Sequence, residues 1–373
     1  MQGPPRYRAV SSHLRREIAA GRYPAGARLP SEPELARQFK LSRPTVARAF
    51  LELQQEGLIE RRVGSGTYVR GEAPSVAAAS TRQLGLLIPG LGNTEIFESI
   101  CGELASLARV ADYSLLWGGS TDPRQDRDAS LGHAKELCEH FIHRKVSGVF
   151  FAPYELVPDK ESANRGLAEM LREAGIPVVL LDRDLSSFPN RSDFDLVGID
   201  NMAGGYLVAE HLIRLGCHRI TFLARAHSAP TVDARIAGAR EALVRHRIDT
   251  DPGWVKVGDP AELRFLRSIT AGKRTDAVIC ANDHTAAILL RSLEASGLRV
   301  PRDIRVVGFD DVKYATLLSV PLTTVHQPCR DIAVIALRTM LERIAQPTVR
   351  ARQILLTPRL VVRESCGAYL PKA

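Results

Sequence analysis

Residues 28–69 read RLPSEPELARQFKLSRPTVARAFLELQQEGLIERRVGSGTYV, and this stretch decides the fold at the start of the chain. Ser31 sits where a helix N-cap belongs, and Glu34 follows three residues later, the pattern of a capping box. Leu35 and Phe39 give that helix an apolar edge. Ser42 opens a second helix in which Val46, Ala49, Phe50 and Leu53 recur on one face. Two short extended runs follow, 58–62 and 67–69, with Gly64-Ser65-Gly66 between them; glycine supplies the positive φ of a hairpin turn. Upstream, Tyr7, Val10, Leu14 and Ile18 make one more helical stripe, which Gly21 ends. A helix-turn-helix followed by a two-stranded wing is a module that reads duplex DNA. Its second helix enters the major groove by its N-terminal residues.

Charge agrees with that reading. Residues 1–70 hold thirteen Lys and Arg against six Asp and Glu, a net of +7, so only +1 of the chain's +8 is left for the other 303 residues. A basic small domain on a near-neutral large one is the electrostatic footprint of a DNA-binding head.

The length of 373 residues suits two or three domains, and 45% hydrophobic with 25% charged residues is a globular composition. No apolar run nears the roughly 18 residues a membrane span needs. The opening MQGPPRYRAV lacks the apolar core of a secretory signal, so a cytoplasmic location is expected. Cys101, Cys138, Cys217, Cys280, Cys329 and Cys366 are far apart and form no CxxC pair, which suggests reduced buried thiols and no metal. Residues 71–82, GEAPSVAAASTR, read as a linker of small residues.

From Gln83 onward short apolar runs alternate with amphipathic stretches. The run LGLLIPG leads to a helix over about 95–111, then YSLLWGG, a helix over about 130–144, VSGVFFAP, a helix near 164–174 and IPVVLLD. The rhythm repeats through FDLVGID, a helix over 201–215, HRITFLA, a helix near 233–246, WVKVGD, DAVICAND, another helix and RVVGFDD. The pattern predicts two α/β lobes with parallel sheets. In such sheets ligands lie at the carboxyl ends of the strands. The polar residues expected there are 89–93, Asp182, Arg183, Asp200, Asn282, Asp283, Asp310 and Asp311. The fold class is therefore α/β, with a winged helix-turn-helix ahead of a two-lobed domain.

Residues 7–69 resemble the winged-helix domain of the GntR family of bacterial transcription regulators. The matching residues are the turn at 21–26, LPSEPELA, SRPTV, EGLI and GSGTYV. Residues 83–366 resemble the effector domain of the LacI/GalR regulators, itself similar to periplasmic sugar-binding proteins. The match rests on VSGVFFAP, IPVVLLDR, VGIDNMAGG, AEHLIRLGCHRITFL, ARIAGAR, AVICANDHTA, GLRVPRDIRVVGFDD and PLTTVHQP. This head on this effector domain is the architecture of the arabinose-repressor-type subgroup. LacI/GalR proteins carry a different head and a hinge helix, so their hinge mechanism does not transfer.

The resemblance implies a domain map: a head at 1–70, the linker at 71–82, and an effector-binding and dimerisation domain at 83–373. It also implies three crossings between lobes, placed near 186–193, 321–325 and 347–352. Lobe one is then about 83–187 with 326–346, and lobe two the remainder. Arg235 matches the family's effector-contacting arginine, whose planar fork suits vicinal hydroxyls or a carboxylate. Asp310 matches the carboxylate that accepts from sugar hydroxyls. Asn282 and Asp283 end a strand and open a helix; either can be an N-cap, and one of the two is expected in the site. Asp182 and Arg183 end a strand, and Gln327 follows a crossing as site or hinge residue. Phe97 either stacks on a sugar or fills the core, Trp117 reads as packing, and Asp200 as a helix cap.

In the head, Ser42, Arg43 and Thr45 match the family's recognition-helix contacts. Pro44 suits the first helical turn, which needs no N–H there. The arginine common two residues after this Thr is Ala47 here, with Arg48 beside it, which points to a different operator sequence. Gly64 matches a wing glycine at the minor groove, and Arg61 and Arg62 suit phosphates.

The expected protein is a cytoplasmic homodimer, a repressor that a sugar or sugar derivative releases from double-stranded operator DNA, with no cofactor and no membrane partner. The competing readings are a solute-binding receptor and an α/β enzyme with a regulatory head. The sequence has no complete P-loop, dinucleotide fingerprint, HExxH or GxSxG.

Overall fold

In the computed structural model the described residues are 7–19, 22–24, 26–55, 58–62, 66–69, 82–88, 95–118, 127–270 and 275–370. The chain divides into two compact units, Met1–Thr81 and Arg82–Ala373.

The first unit contains α1 (Tyr7–Ala19), α2 (Glu32–Phe39) and α3 (Arg43–Gln55), then the antiparallel strands β1 (Ile59–Arg62) and β2 (Gly66–Val69). The capping box forms: the Glu34 carboxylate accepts from the Ser31 backbone N–H at 2.7 Å and from its hydroxyl at 2.8 Å. Lys40, left-handed at φ 52°, ends α2. The three helical stripes meet in one core of Val10, Leu14, Leu35, Val46, Phe50 and Leu53, closed by Ile59 and Val69 of the wing. The sequence pattern does not reveal a third ribbon. Residues 26–29 lie along β2, with Leu29 N–H donating to Thr67 O and Val69 N–H to Ala27 O, both at 2.8 Å. Gly64, Ser65 and the linker at 71–81 fall outside the described residues.

The second unit holds two parallel sheets. The first comprises β3 (Arg82–Leu87), β4 (Tyr113–Trp117), β5 (Gly148–Phe151), β6 (Val178–Leu181), β7 (Asp195–Ile199) and β13 (Gln353–Leu356), in the order β13-β7-β6-β5-β3-β4. The helices α4 (Glu95–Val110), α5 (Arg127–His143), α6 (Lys160–Glu173) and α11 (Cys329–Ala345) cover it. Phe150, Val179 and Leu181 face the α4 and α11 side, whereas Phe151, Val178 and Leu180 face α5 and α6. Strands buried on both faces must be apolar at every position, which is why they read as unbroken runs.

The second sheet comprises β8 (Ile220–Ala224), β9 (Val255–Val257), β10 (Ala277–Cys280) and β11 (Arg305–Val307), in the order β11-β10-β8-β9. The helices α7 (Asn201–Arg214) and α8 (Pro230–Arg245) cover one face; α9 (Leu263–Thr270), which the sequence pattern did not mark, and α10 (Asp283–Ala295) cover the other. Gly205 and Gly238 let the α7 and α8 backbones touch: a Cβ on either would collide with the carbonyl of Arg235 or of Met202. Between the sheets β12 (Thr324–His326) and β14 (Arg359–Val361) pair antiparallel.

Two of the expected crossings move. β7, assigned to lobe two, pairs in parallel with β6, so the first crossing follows Ile199. β13 pairs in parallel with β7, so the third lies at Thr357-Pro358 between β13 and β14. The segment between β6 and β7 has no helix, and so it read as a crossing. It is instead a closed loop: Asp184 Oδ1 accepts from the N–H groups of Ser186 and Ser192 at 2.9 and 3.0 Å. Buried Asp195 then ties the late elements to β7, accepting from Arg343 Nε at 2.8 Å and from Arg352 N–H at 2.9 Å.

Candidate functional site

The carboxyl ends of strands from both sheets converge on one polar cluster. Asp182 and Arg183 follow β6, Asp310 follows β11, Gln327 follows β12, and Arg235 stands in the second turn of α8. Arg235 is 4% exposed. Its Nε donates to Asn201 Oδ1 at 2.8 Å and its Nη1 to the Ala281 carbonyl at 2.5 Å. Its Nη2 lies 3.7 Å from Asp310 Oδ1, and the guanidinium carbon sits 3.6 Å from the centre of the Phe309 ring. One flat face and the edges of the fork are therefore located by protein contacts, which presets its direction.

Arg183 is equally buried. It pairs with Glu155 at 2.5 Å, lies 3.8 Å from Asp182, and its guanidinium carbon is 5.1 Å from the centre of the Phe97 ring. Gln327 donates to Asp310 Oδ1 at 2.8 Å. Three buried atoms of the cluster, Asp182 Oδ1, Arg183 Nε and Gln327 Oε1, have no hydrogen-bond partner in the protein, Nε lying only within ion-pair distance of Asp182 Oδ2. Such atoms are costly unless a ligand or water satisfies them. Asp182 and Asp310 also hold left-handed or neighbouring backbone, φ 68° and 118°, a form of strain that collects at binding sites.

The electrostatics follow from crowding. Burial pushes Asp310 up to about 7, opposed by the Arg235 charge and the Gln327 hydrogen bond and reinforced by Asp182. Burial also raises Asp182, with Arg183 and Arg235 holding it back. Burial pushes Glu155 up, but the Arg183 charge and hydrogen bond, the Ala229 N–H and the Arg235 charge together hold it below the usual range.

Of the residues expected at the site, Asp182, Arg183, Arg235, Asp310 and Gln327 come together. Phe97 is fully buried under Arg183 and presents no free face. Asn282 and Asp283 do other work. Asn282 caps α10, accepting from the Thr285 N–H at 2.8 Å. Asp283 is fully buried and braces the second crossing, accepting from Thr324 Oγ1 at 2.6 Å and from the Val312 N–H at 3.0 Å. Asp200 caps α7, as expected, through the Ala203 N–H. Glu155, Asn201 and Phe309 join the cluster without having been expected there. The strand-end rule applied to VFFAPYE and VGIDN would have found the first two.

In the head, Arg43 and Pro44 are exposed at the start of α3, and Ser42 and Thr45 share a hydroxyl hydrogen bond at 2.8 Å. Arg48 has its guanidinium carbon 4.7 Å from the centre of the Tyr7 ring, and Arg61 pairs with Glu32. Exposed pairs of this kind are weak and yield readily to a phosphate. Gly64 and the side chain of Arg62 lie outside the described residues.

Among the described residues no group of side chains could hold a metal, and no helix is long and apolar enough to cross a membrane.

Residues 6–69 match the bacterial regulatory proteins of the gntR family, and residues 209–366 match the periplasmic binding protein-like domain. The arabinose metabolism transcriptional repressor of Geobacillus stearothermophilus is 30% identical over 372 residues, 97% of this chain and 97% of that protein. The HTH-type transcriptional repressor PurR of Vibrio campbellii is 31% identical over 301 residues, 79% of this chain and 84% of the other. Among solved structures, a complex of the transcriptional regulator CelR with cellobiose matches with a TM-score of 0.65 at 23% identity, over 90% of this chain and 100% of that one. With a DNA-reading head of the gntR type ahead of a two-sheet, ligand-binding-type domain, and with likeness to the arabinose metabolism repressor along nearly its whole length, the chain belongs to that family of ligand-responsive transcription regulators.

Proposed function

We propose that the protein is a cytoplasmic, non-enzymatic repressor that binds a near-palindromic operator as a homodimer and leaves it when a neutral sugar or sugar derivative enters the cleft between the lobes. Ser42, Arg43, Pro44 and Thr45 lead α3 into the major groove, with Arg48, Arg61, Arg62 and the wing at Gly64 on the backbone and minor groove. Asp182, Arg183, Arg235, Asp310 and Gln327 hold the effector. The observation that carries this reading is the mixed character of the unpartnered atoms: Asp182 Oδ1 and Gln327 Oε1 accept, and Arg183 Nε donates. A hydroxyl both donates and accepts, so a polyol satisfies such a set. A phosphate ester only accepts, and it would face the carboxylates of Asp182, Asp310 and Glu155.

The named relatives support the choice of ligand class, since one is a repressor of arabinose metabolism and one neighbour was solved with cellobiose. Calorimetric titration of the full chain with neutral pentoses, hexoses and disaccharides tests it, followed by operator release with any sugar that binds. Micromolar binding of a neutral sugar that weakens operator binding is the expected result. Effector and operator must then lower each other's affinity by the same factor. Binding only of a purine or a phosphate ester, with no response to any neutral sugar, would falsify the reading.

A further inference from the structure

A second set of contacts joins the two lobes beside the polar cluster. On lobe one, residues 155–160 run from beyond β5 into α6. On lobe two, residues 225–229 join β8 to α8. The Leu156 N–H donates to the His227 carbonyl at 2.7 Å. Lys160 Nζ donates to the same carbonyl at 3.0 Å and also to the Ser228 carbonyl. In the other direction, the Ala229 N–H donates to Glu155 Oε2 at 3.2 Å.

The backbone on both sides is shaped for these bonds. Leu156, Asp159 and His227 are all left-handed, at φ 59°, 52° and 58°. Asp and His adopt this region more readily than most residues, but for Leu156 it is disfavoured, and its surroundings hold it there. The Lys160 ammonium is half-buried, and Asp233 of α8 is the main charge that offsets its burial. A charged donor shared between two carbonyls is a strong form of hydrogen bond. None of Leu156, Lys160, His227 or Ser228 belongs to the polar cluster. Glu155 belongs to both sets, because its other oxygen pairs with Arg183.

We propose that residues 155–160 and 227–229 form an interlobe clasp, with Lys160 its positioning residue, which holds the cleft closed by protein contacts alone and sets how long an effector is retained. Closure then has its own equilibrium, and the effector adds to it. A ligand's apparent affinity scales with the fraction of its binding-competent state. The consequence for retention rests on the effector reading above, but closure itself can be tested without any ligand.

The test is amide hydrogen exchange on the ligand-free full chain. The Leu156 and Ala229 amides cross the clasp, so they are expected to be protected in the wild type. Lys160→Met should speed exchange at both by about tenfold, the factor that corresponds to about 1.4 kcal/mol. Amides of β5 and β8 should keep their wild-type rates. Lys160→Arg should retain most of the protection, since a guanidinium can still donate to two carbonyls. Three results would overturn the clasp: free exchange of Leu156 in the wild type, no change in Lys160→Met, or acceleration spread equally over β5 and β8. A failed sugar titration would leave this outcome unaffected, so the two ideas fail separately.

Discussion

Replacing Asp310 by Asn should make the effector domain more stable at alkaline pH and leave it nearly unchanged near pH 4. Burial pushes the Asp310 carboxyl from 3.8 to about 7, and its side chain is only 16% exposed. Between those values the folded chain keeps a proton that the unfolded chain has released. Stability is therefore fully present below the unfolded value and falls as pH rises through the folded one. A difference of one in pKa between the folded and unfolded chain is worth about 1.36 kcal/mol, so a rise of about three sets an upper bound near 4 kcal/mol. Asn resembles the protonated acid and can still accept from Gln327, whose amide lies 2.8 Å from Asp310 Oδ1. Local relaxation leaves an expected gain of about 2–4 kcal/mol at pH 8.5, or roughly 5–10 °C in melting temperature. Melting curves of both proteins from about pH 4 to 8.5, read on the transition of the larger unit, are the assay. Parallel curves with a constant offset would refute the reasoning, because they would mean Asp310 does not titrate in this window.

Arg235→Ala should abolish the response to any effector while leaving operator binding intact, measured by gel shift with and without the sugar, because Arg235 and the head lie in separate units. Gly205→Ala should destabilise the second unit by about 1–3 kcal/mol, or more, since overpacking here meets a backbone carbonyl that cannot rotate away. The same change should weaken effector binding, because that carbonyl belongs to Arg235; a normal titration with a lowered melting point would separate fold from site. With about six phosphates neutralised per dimer, the log–log salt slope of operator binding should be near −5. Arg43→Ala should lose sequence preference as well as affinity, and equal weakening on all sequences would assign Arg43 to phosphate instead.

The sequence by itself determined most of what depends on neighbours in the chain, the short helix α9 excepted. The capping box at Ser31 and Glu34, the stripe of Val46, Phe50 and Leu53, and the double-sided apolar strands are local signals, and the structure contains each of them. Position at a strand's carboxyl end was legible too, and with the motif around Arg235 it singled out several of the residues that meet in the cluster, though not Glu155, Asn201 or Phe309. Tertiary structure decided what those side chains do once there. Asn282 and Asp283 carry the same strand-end signature as Asp182, yet one caps a helix and the other braces a crossing. The Asn282 cap is local, made to the Thr285 N–H three residues on, but the role of Asp283 depends on a hydroxyl that arrives from 41 residues away, that of Thr324, and nothing near it in the chain reveals this. The lobe boundary has the same character. The loop after β6 lacks a helix and reads as a passage between lobes, whereas the pairing of β7 with β13, more than 150 residues later in the chain, keeps it on the first sheet. Hydrogen bonds between strands have no sequence period of their own; the apolar pattern says that a strand is buried on both faces, and only the folded chain says beside which partner.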